Sequence, residues 1–139
     1  MNVTVYRSSS SDLSPQVCGG EFVDRAENIL IFSLPGRGKT HLAVAVGTEL
    51  IQLGRSVLFT PTYRLVDRLL RARRDLELES QLRRLDRFDV LILDDIGYVQ
   101  QSREEMEVLF TLLAERYERR IRARHGGLGS HAPSTRATR

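Results

Sequence analysis

Three short, nearly uninterrupted apolar runs punctuate the chain, at Ile29 to Phe32, Val57 to Thr60 and Val90 to Leu93. A run with no polar alternation is what a strand buried on both faces requires, as in a parallel sheet covered by helices. Between the runs the period changes. His41 to Leu53 reads as a helix apolar on most sides, with Gly54 placed to end it in a left-handed cap. Gly47 inside that helix costs about 1 kcal/mol relative to Ala, which points to close packing there. Pro61 stops the second run, and Thr62 is placed to cap a helix carrying Leu65, Val66, Leu69 and Leu70 at core spacing. A break near Arg74-Asp75 separates it from another helix with Leu78, Leu82 and Leu85. Ser102-Arg103-Glu104-Glu105 is a capping box, and it opens a helix with Met106, Leu109, Phe110, Leu113 and Tyr117 on one face. Strands alternating with helices predict an α/β fold built on a parallel sheet.

The two ends lack either period. Residues 1–21 are polar and Ser-rich, and neither helix nor strand is indicated there. Residues 121–139 have no apolar period and are expected to be a disordered basic tail. Residues 22–120 then form the one domain, and a chain of 139 residues buries roughly two thirds of its unfolded surface. Hydrophobic content of 41% and charged content of 28% exclude the disordered and membrane classes. No apolar run approaches a bilayer span, and the first twenty residues hold no secretory apolar core, so no membrane association and a cytoplasmic location are expected. The single Cys18 excludes an internal disulfide framework, and His125 and His131 have no acidic or Cys companions for a metal site.

Charge needs dividing before it means anything. The formal +3 includes four arginines and no acid after Arg120, so residues 1–120 hold 17 basic and 18 acidic side chains, net −1. Of the 21 basic residues only Lys39 is lysine. That residue lies in the most informative segment, Ser33-Leu34-Pro35-Gly36-Arg37-Gly38-Lys39-Thr40, between the first strand and its helix. A phosphate-binding loop needs glycines that let backbone N–H groups turn toward oxygens, a lysine for the β- and γ-phosphates, and a hydroxyl for Mg²⁺. The helix that follows adds its positive N-terminal end. Gly36, Gly38, Lys39 and Thr40 fit those roles, with Ser33, Pro35, Arg37 and His41 in the same loop and first turn. The departure is Ser33, where the pattern begins with glycine.

Asp94 and Asp95 end the third strand. At the C-terminal edge of a parallel sheet, carboxylates face the crevice where ligands bind. Asp94 is placed to hold Mg²⁺, and Asp95 to orient or deprotonate a water. Two adjacent acids favour the hydrolytic branch of the phosphate-loop NTPases, in which the second acid is more often Glu. The Arg-rich stretch Arg64 to Arg87 also contains Asp67, Asp75, Glu77, Glu79 and Asp86. It fits a solvated helix face laced with ion pairs, and phosphate contact remains open.

The segments Phe22 to Asn28, Gly38 to Ala43, Leu58 to Thr60, Leu69 to Asp75, Asp94 to Val99 and Ala114 to Arg120 together resemble the IstB-like ATP-binding proteins. These are the helper ATPases of insertion-sequence transposition, similar to the DnaC helicase loaders within the AAA+ class. The resemblance implies a three-layer P-loop NTPase core that binds ATP and Mg²⁺, self-associates on double-stranded DNA and serves a partner transposase. On that reading Ser33, Pro35, Gly36, Arg37, Gly38, Lys39, Thr40 and His41 hold the nucleotide. Thr40 and Asp94 serve the metal, while Lys39 and Asp95 act in hydrolysis. The family continues into an apolar strand ending in Ser-Asn, between the phosphate-loop and acidic strands, then an arginine finger and further helices. Those features and the usual N-terminal helical region have no counterpart in this sequence. The expectation is therefore an incomplete core, truncated at both ends, marginally stable and weak or inactive in hydrolysis. A nucleotide-independent DNA-binding or interaction module on the Thr62–Arg87 helices, or a helicase loader, are the alternatives.

Overall fold

In the computed structural model, which describes residues 3–7, 15–32, 36, 38–96 and 102–126, all three apolar runs are strands. They become β2 (Asn28–Phe32), β3 (Val57–Pro61) and β4 (Val90–Asp94), and a further strand, β1 (Val3–Arg7), precedes them. β1 lies in the stretch expected to lack structure. Its Val-Thr-Val-Tyr sequence is rich in β-branched and aromatic residues, a local preference that the Ser-rich composition of the surrounding leader conceals.

The helices are α1 (Pro15–Cys18), α2 (Glu21–Asp24), α3 (Lys39–Gln52), α4 (Thr62–Arg74), α5 (Leu78–Leu85) and α6 (Arg103–Gly126). α6 passes Arg120, where the sequence period stops. Ile121, Arg122 and Arg124 carry no helix breaker, and Arg122 pairs with Glu118 one turn back at 3.1 Å. Residues 127–139, the remainder of the expected tail, lie outside the described residues.

The strands form two parallel pairs. β1 pairs with β2 from Val3–Asn28 to Arg7–Phe32, and β3 pairs with β4 from Val57–Val90 to Pro61–Asp94. β2 and β4 share no ladder. Alternation along the second pair sets three layers. Val57 and Val90 face a cluster of Val17, Val46 and Leu50 from α1 and α3. Leu58, Leu91 and Leu93 face the opposite way, onto Leu65, Val66, Leu69, Leu82, Leu85, Val108, Leu109 and Leu112 of α4, α5 and α6.

Helix ends follow their chemistry, with one exception. Gly54 takes φ 80 after α3, and Arg55 N–H bonds to the Leu50 carbonyl at 2.9 Å, closing the expected left-handed cap. Ser102 and Glu105 form the reciprocal capping box, with N–H bonds of 3.2 and 3.3 Å. Thr62 does not cap α4: Pro61 occupies that position, and Thr62 is the first helical residue. The buried face of α6 is also rotated from the expectation. Val108, Leu109 and Leu112 are buried, whereas Met106 and Phe110 are exposed, because the helix packs between α4 and α5 along its 108–112 stripe.

Two polar ties fix where β4 begins. The Asp89 carboxylate accepts from Ser56 N–H at 2.9 Å and from the Ser56 hydroxyl at 2.8 Å. In return, the Asp89 N–H bonds to Ser56 Oγ at 2.9 Å. The Arg116 guanidinium donates to the carbonyls of Leu85, Phe88 and Asp89 at 3.0, 2.6 and 2.9 Å, binding α6 to the turn before β4.

Candidate nucleotide-binding site

The loop after β2 enters α3 through glycines in left-handed backbone, Gly36 at φ 76 and Gly38 at φ 77. That conformation costs an L side chain about 1 kcal/mol or more. Gly38 is the residue before α3, with no side chain to cap it. The first-turn amides of Lys39, Thr40 and His41 therefore point out of the helix without an intrahelical acceptor, at its positive end. Ser33, Pro35 and Arg37 of the expected loop lie outside the described residues. His41 is exposed on the first turn of α3.

The acidic pair meets this helix start. Thr40 Oγ1 donates to Asp94 Oδ2 at 2.8 Å, across 54 residues of sequence. The other carboxylate oxygen, Oδ1, accepts from Asp95 N–H at 3.0 Å. Beneath them the Thr62 hydroxyl donates to the Asp94 carbonyl at 2.7 Å, and Thr62 is fully buried. Sequence reasoning gave Thr62 a capping role and missed this one. Its position directly after a strand-ending proline is the signal that a hydroxyl faces the neighbouring strand end. Asp95 turns the chain away at φ 57, a left-handed position that Asp tolerates better than most residues.

Lys39, Asp94 and Asp95 line one end of a cavity of about 540 Å³ that runs between β2 and β4. The structure thus brings together Gly38, Lys39 and Thr40 at the start of α3 with Asp94 and Asp95, five of the residues singled out from sequence. Thr40 and Asp94 present two hard oxygen donors within one coordination sphere of each other, the donor type Mg²⁺ prefers. Among the described residues no cluster of three or more His, Cys, Asp or Glu converges to hold a metal without further ligands.

At the opposite end of the cavity lie Asp89, Arg116 and Arg120. The Ser56 N–H, opposed by burial and then helped by the Ser56 hydroxyl and by Arg120 and Arg55, holds the Asp89 carboxyl below its ordinary value. Burial pushes the Arg116 guanidinium down to about 10, with Arg120 adding to the shift and Asp86 and Asp89 opposing it. It stays charged at neutral pH.

Of the eight arginines from Arg64 to Arg87, three pair with acids among the described residues. Arg71 bonds to Asp67 and Arg83 to Glu79, each at 2.9 Å, and Arg73 to Glu107 at 3.3 Å. Among the described residues no helix is long and apolar enough to cross a membrane.

An insertion-sequence ATP-binding protein of Sinorhizobium fredii is 48% identical over 112 residues, 81% of this chain and 38% of the relative. One from Pseudomonas aeruginosa is 45% identical over 104 residues, 75% of this chain and 39% of the relative. The replicative helicase loader DnaC of Buchnera aphidicola is more distant, 29% identical over 99 residues, 69% of this chain and 40% of the loader. The chain therefore spans about two fifths of the length of the relatives it matches. A model of IstB-like ATP binding proteins matches residues 7–122, most of the chain, which belongs to that family.

Proposed function

We propose that the chain binds ATP with Mg²⁺ at the start of α3 and serves as the nucleotide-binding part of an insertion-sequence transposition helper. The observation that carries this reading is the 2.8 Å hydrogen bond from Thr40 to Asp94, which joins the phosphate loop to the acidic strand end. The first-turn amides of α3 and the Lys39 ammonium receive the phosphates. Lys39 is suited to the task because it forms no ion pair with an acid among the described residues. Thr40 and Asp94 hold the metal, which neutralises phosphate charge when bound. Ser33, Pro35, Arg37 and His41 complete the nucleotide contacts.

Hydrolysis by this chain alone is weak or nil. Asp95 is the residue positioned to orient an attacking water. However, β2 and β4, the strands that carry the two halves of the site, are not joined by a ladder. Their relative position rests on helix packing and on exposed polar ties, Thr40 to Asp94 and Arg55 to Asp24, and a displacement of about 1 Å costs roughly a hundredfold in rate. The relatives are insertion-sequence ATP-binding proteins, which supports a role in transposition; double-stranded DNA, a transposase and further copies of the chain are the partners proposed with it.

The test is a titration with a fluorescent ATP analogue and Mg²⁺ on the wild type and Lys39→Ala. Loss of the charge-assisted contact weakens binding roughly ten- to hundredfold. Equal affinities for the two proteins, or no saturable binding by the wild type, would defeat the reading.

A further inference from the structure

Thr62 is the one buried polar or charged residue among those described, and none of it reaches solvent. A hydroxyl sealed in this way has to be hydrogen-bonded, which ties its acceptor to a fixed place. The acceptor is the main-chain carbonyl of Asp94, at 2.7 Å. The register explains why a side chain serves there. In a parallel ladder, alternate residues of one strand bond to both neighbours of their partner. Val90 pairs with Val57, and its N–H bonds to the Ser56 carbonyl at 3.1 Å. The bonding residues of β4 are therefore Val90, Ile92 and Asp94. Asp94 pairs with Pro61, so its carbonyl falls opposite residue 62. There the chain has already turned into α4, and the Thr62 hydroxyl meets the carbonyl. That carbonyl belongs to the rigid peptide plane between Asp94 and Asp95. The N–H of the same plane donates to Asp94 Oδ1 at 3.0 Å, while Oδ2 accepts from Thr40 at 2.8 Å. Just past the plane, Asp95 turns at φ 57, a conformation that persists where its surroundings impose it. Water competes for the exposed Thr40 bond but not for the sealed bond from Thr62.

We propose that Thr62 is a positioning residue for the metal side of the nucleotide site. Its hydroxyl, acting through the Asp94–Asp95 peptide plane, holds the Asp94 carboxylate where Mg²⁺ carried by ATP meets it. Thr62 itself touches neither nucleotide nor metal. The role rests on the nucleotide reading above and adds to it a buried residue of α4, outside both the phosphate loop and the acidic strand end. Without the hydroxyl, the Asp94 carbonyl loses its sealed partner and the plane is free to rotate. Asp95 then relaxes out of its left-handed turn, and the carboxylate swings with the N–H it accepts from. The phosphate side is untouched, because Gly38, Lys39 and the first-turn amides belong to α3 and its entry. The loss therefore falls on the metal-dependent part of the affinity.

The experiment titrates a fluorescent ATP analogue into the full chain, once in Mg²⁺ and once in EDTA. It compares the wild type with Thr62→Val and Thr62→Ser. Valine keeps the branched shape and removes the donor, whereas serine keeps the donor and removes a buried methyl. Thr62→Val should weaken binding roughly tenfold in Mg²⁺ and less than about twofold in EDTA. Thr62→Ser should stay within about twofold of the wild type in both, although losing the methyl lowers its Tm. Equal weakening of Thr62→Val in Mg²⁺ and EDTA would mark the hydroxyl as structural alone and overturn the proposal. Circular dichroism checks that each variant folds, and the serine arm decides if the valine variant does not. A folded Thr62→Ser protein that loses roughly tenfold in Mg²⁺ overturns the proposal by itself. A wild type with no saturable binding in Mg²⁺ defeats the nucleotide reading and this role with it. Wild-type binding matched by Thr62→Val in Mg²⁺ defeats the role alone.

Discussion

Leu76 is held at φ 58 in the turn between α4 and α5 and is 94% exposed. It occupies the left-handed position of a helix-ending motif, in which Glu77 N–H reaches the Ala72 carbonyl at 2.7 Å. Glycine serves that position at the end of α3, where Gly54 has φ 80. The left-handed backbone costs an L residue about 1–2 kcal/mol, and glycine returns about half of that through its freer unfolded chain. With its side chain in water, Leu76 gains little in exchange. Leu76→Gly should therefore stabilise the fold by about 0.5–1 kcal/mol. The measurement is a urea titration, in which the midpoint rises and the slope stays unchanged. Asp95 shares the strained region at φ 57, but its neighbour Asp94 is bound into the site, and the same substitution there would remove a site residue.

Among the elements, α3 illustrates what the sequence made legible. Gly47 signalled a close approach, and a Cβ built there would lie 2.9 Å from Ile92 Cδ1 and 3.7 Å from Val57 Cγ1. Gly47→Ala gains about 1 kcal/mol of helix propensity and displaces only the flexible tip of Ile92, so its net effect should be small. Gly47→Val adds branches that neither strand can yield to, at a cost of about 1–3 kcal/mol. Thermal unfolding of the two variants separates a tight helix–sheet contact from a tolerant one.

The position of α6 was less legible. Its apolar residues are dense enough to allow two neighbouring stripes, and its orientation is selected by Arg116, which a periodicity argument treats as surface. Three backbone carbonyls accept from that guanidinium. Arg116→Met keeps the aliphatic stem and removes three hydrogen bonds, but the Phe88 carbonyl keeps Arg120 at 2.6 Å and the Leu85 carbonyl keeps the Phe88 N–H at 3.2 Å, so the cost is about 1–2 kcal/mol. Arg116→Lys should recover less than half, since an ammonium cannot fork across three acceptors. Denaturant midpoints of the three proteins check the order. The strand pairing shows the same limit. Apolar runs identify strands, but a ladder depends on which edges meet, and β1 was hidden because its partner edge lies more than twenty residues away.

At the scale of the whole molecule, polar ties at the base of β3 and β4 reinforce that strand pair and bind α6 to it. The Ser56–Asp89 exchange of hydrogen bonds is the most concentrated of these, and it makes stability depend on acid. Asp89 has a folded-state pKa below its ordinary value of 3.8, chiefly because the Ser56 N–H stabilises the carboxylate. A depressed acid contributes stability that is complete above the unfolded value and is lost as pH falls through the folded one. The contribution is therefore present at neutral pH and fades below about pH 4. Ser56→Ala removes the hydroxyl donor but keeps the N–H donor, so the folded pKa rises part of the way and acid unfolding begins at higher pH. Asp89→Asn removes the titrating group, and Ser56→Ala in that background should shift stability by an amount that does not vary with pH. With no tryptophan in the chain, helix circular dichroism between pH 2 and about pH 7 follows all four proteins. The single-variant difference should shrink as Asp89 protonates, and a difference of constant size down to the lowest pH would place the acid sensitivity elsewhere in the fold.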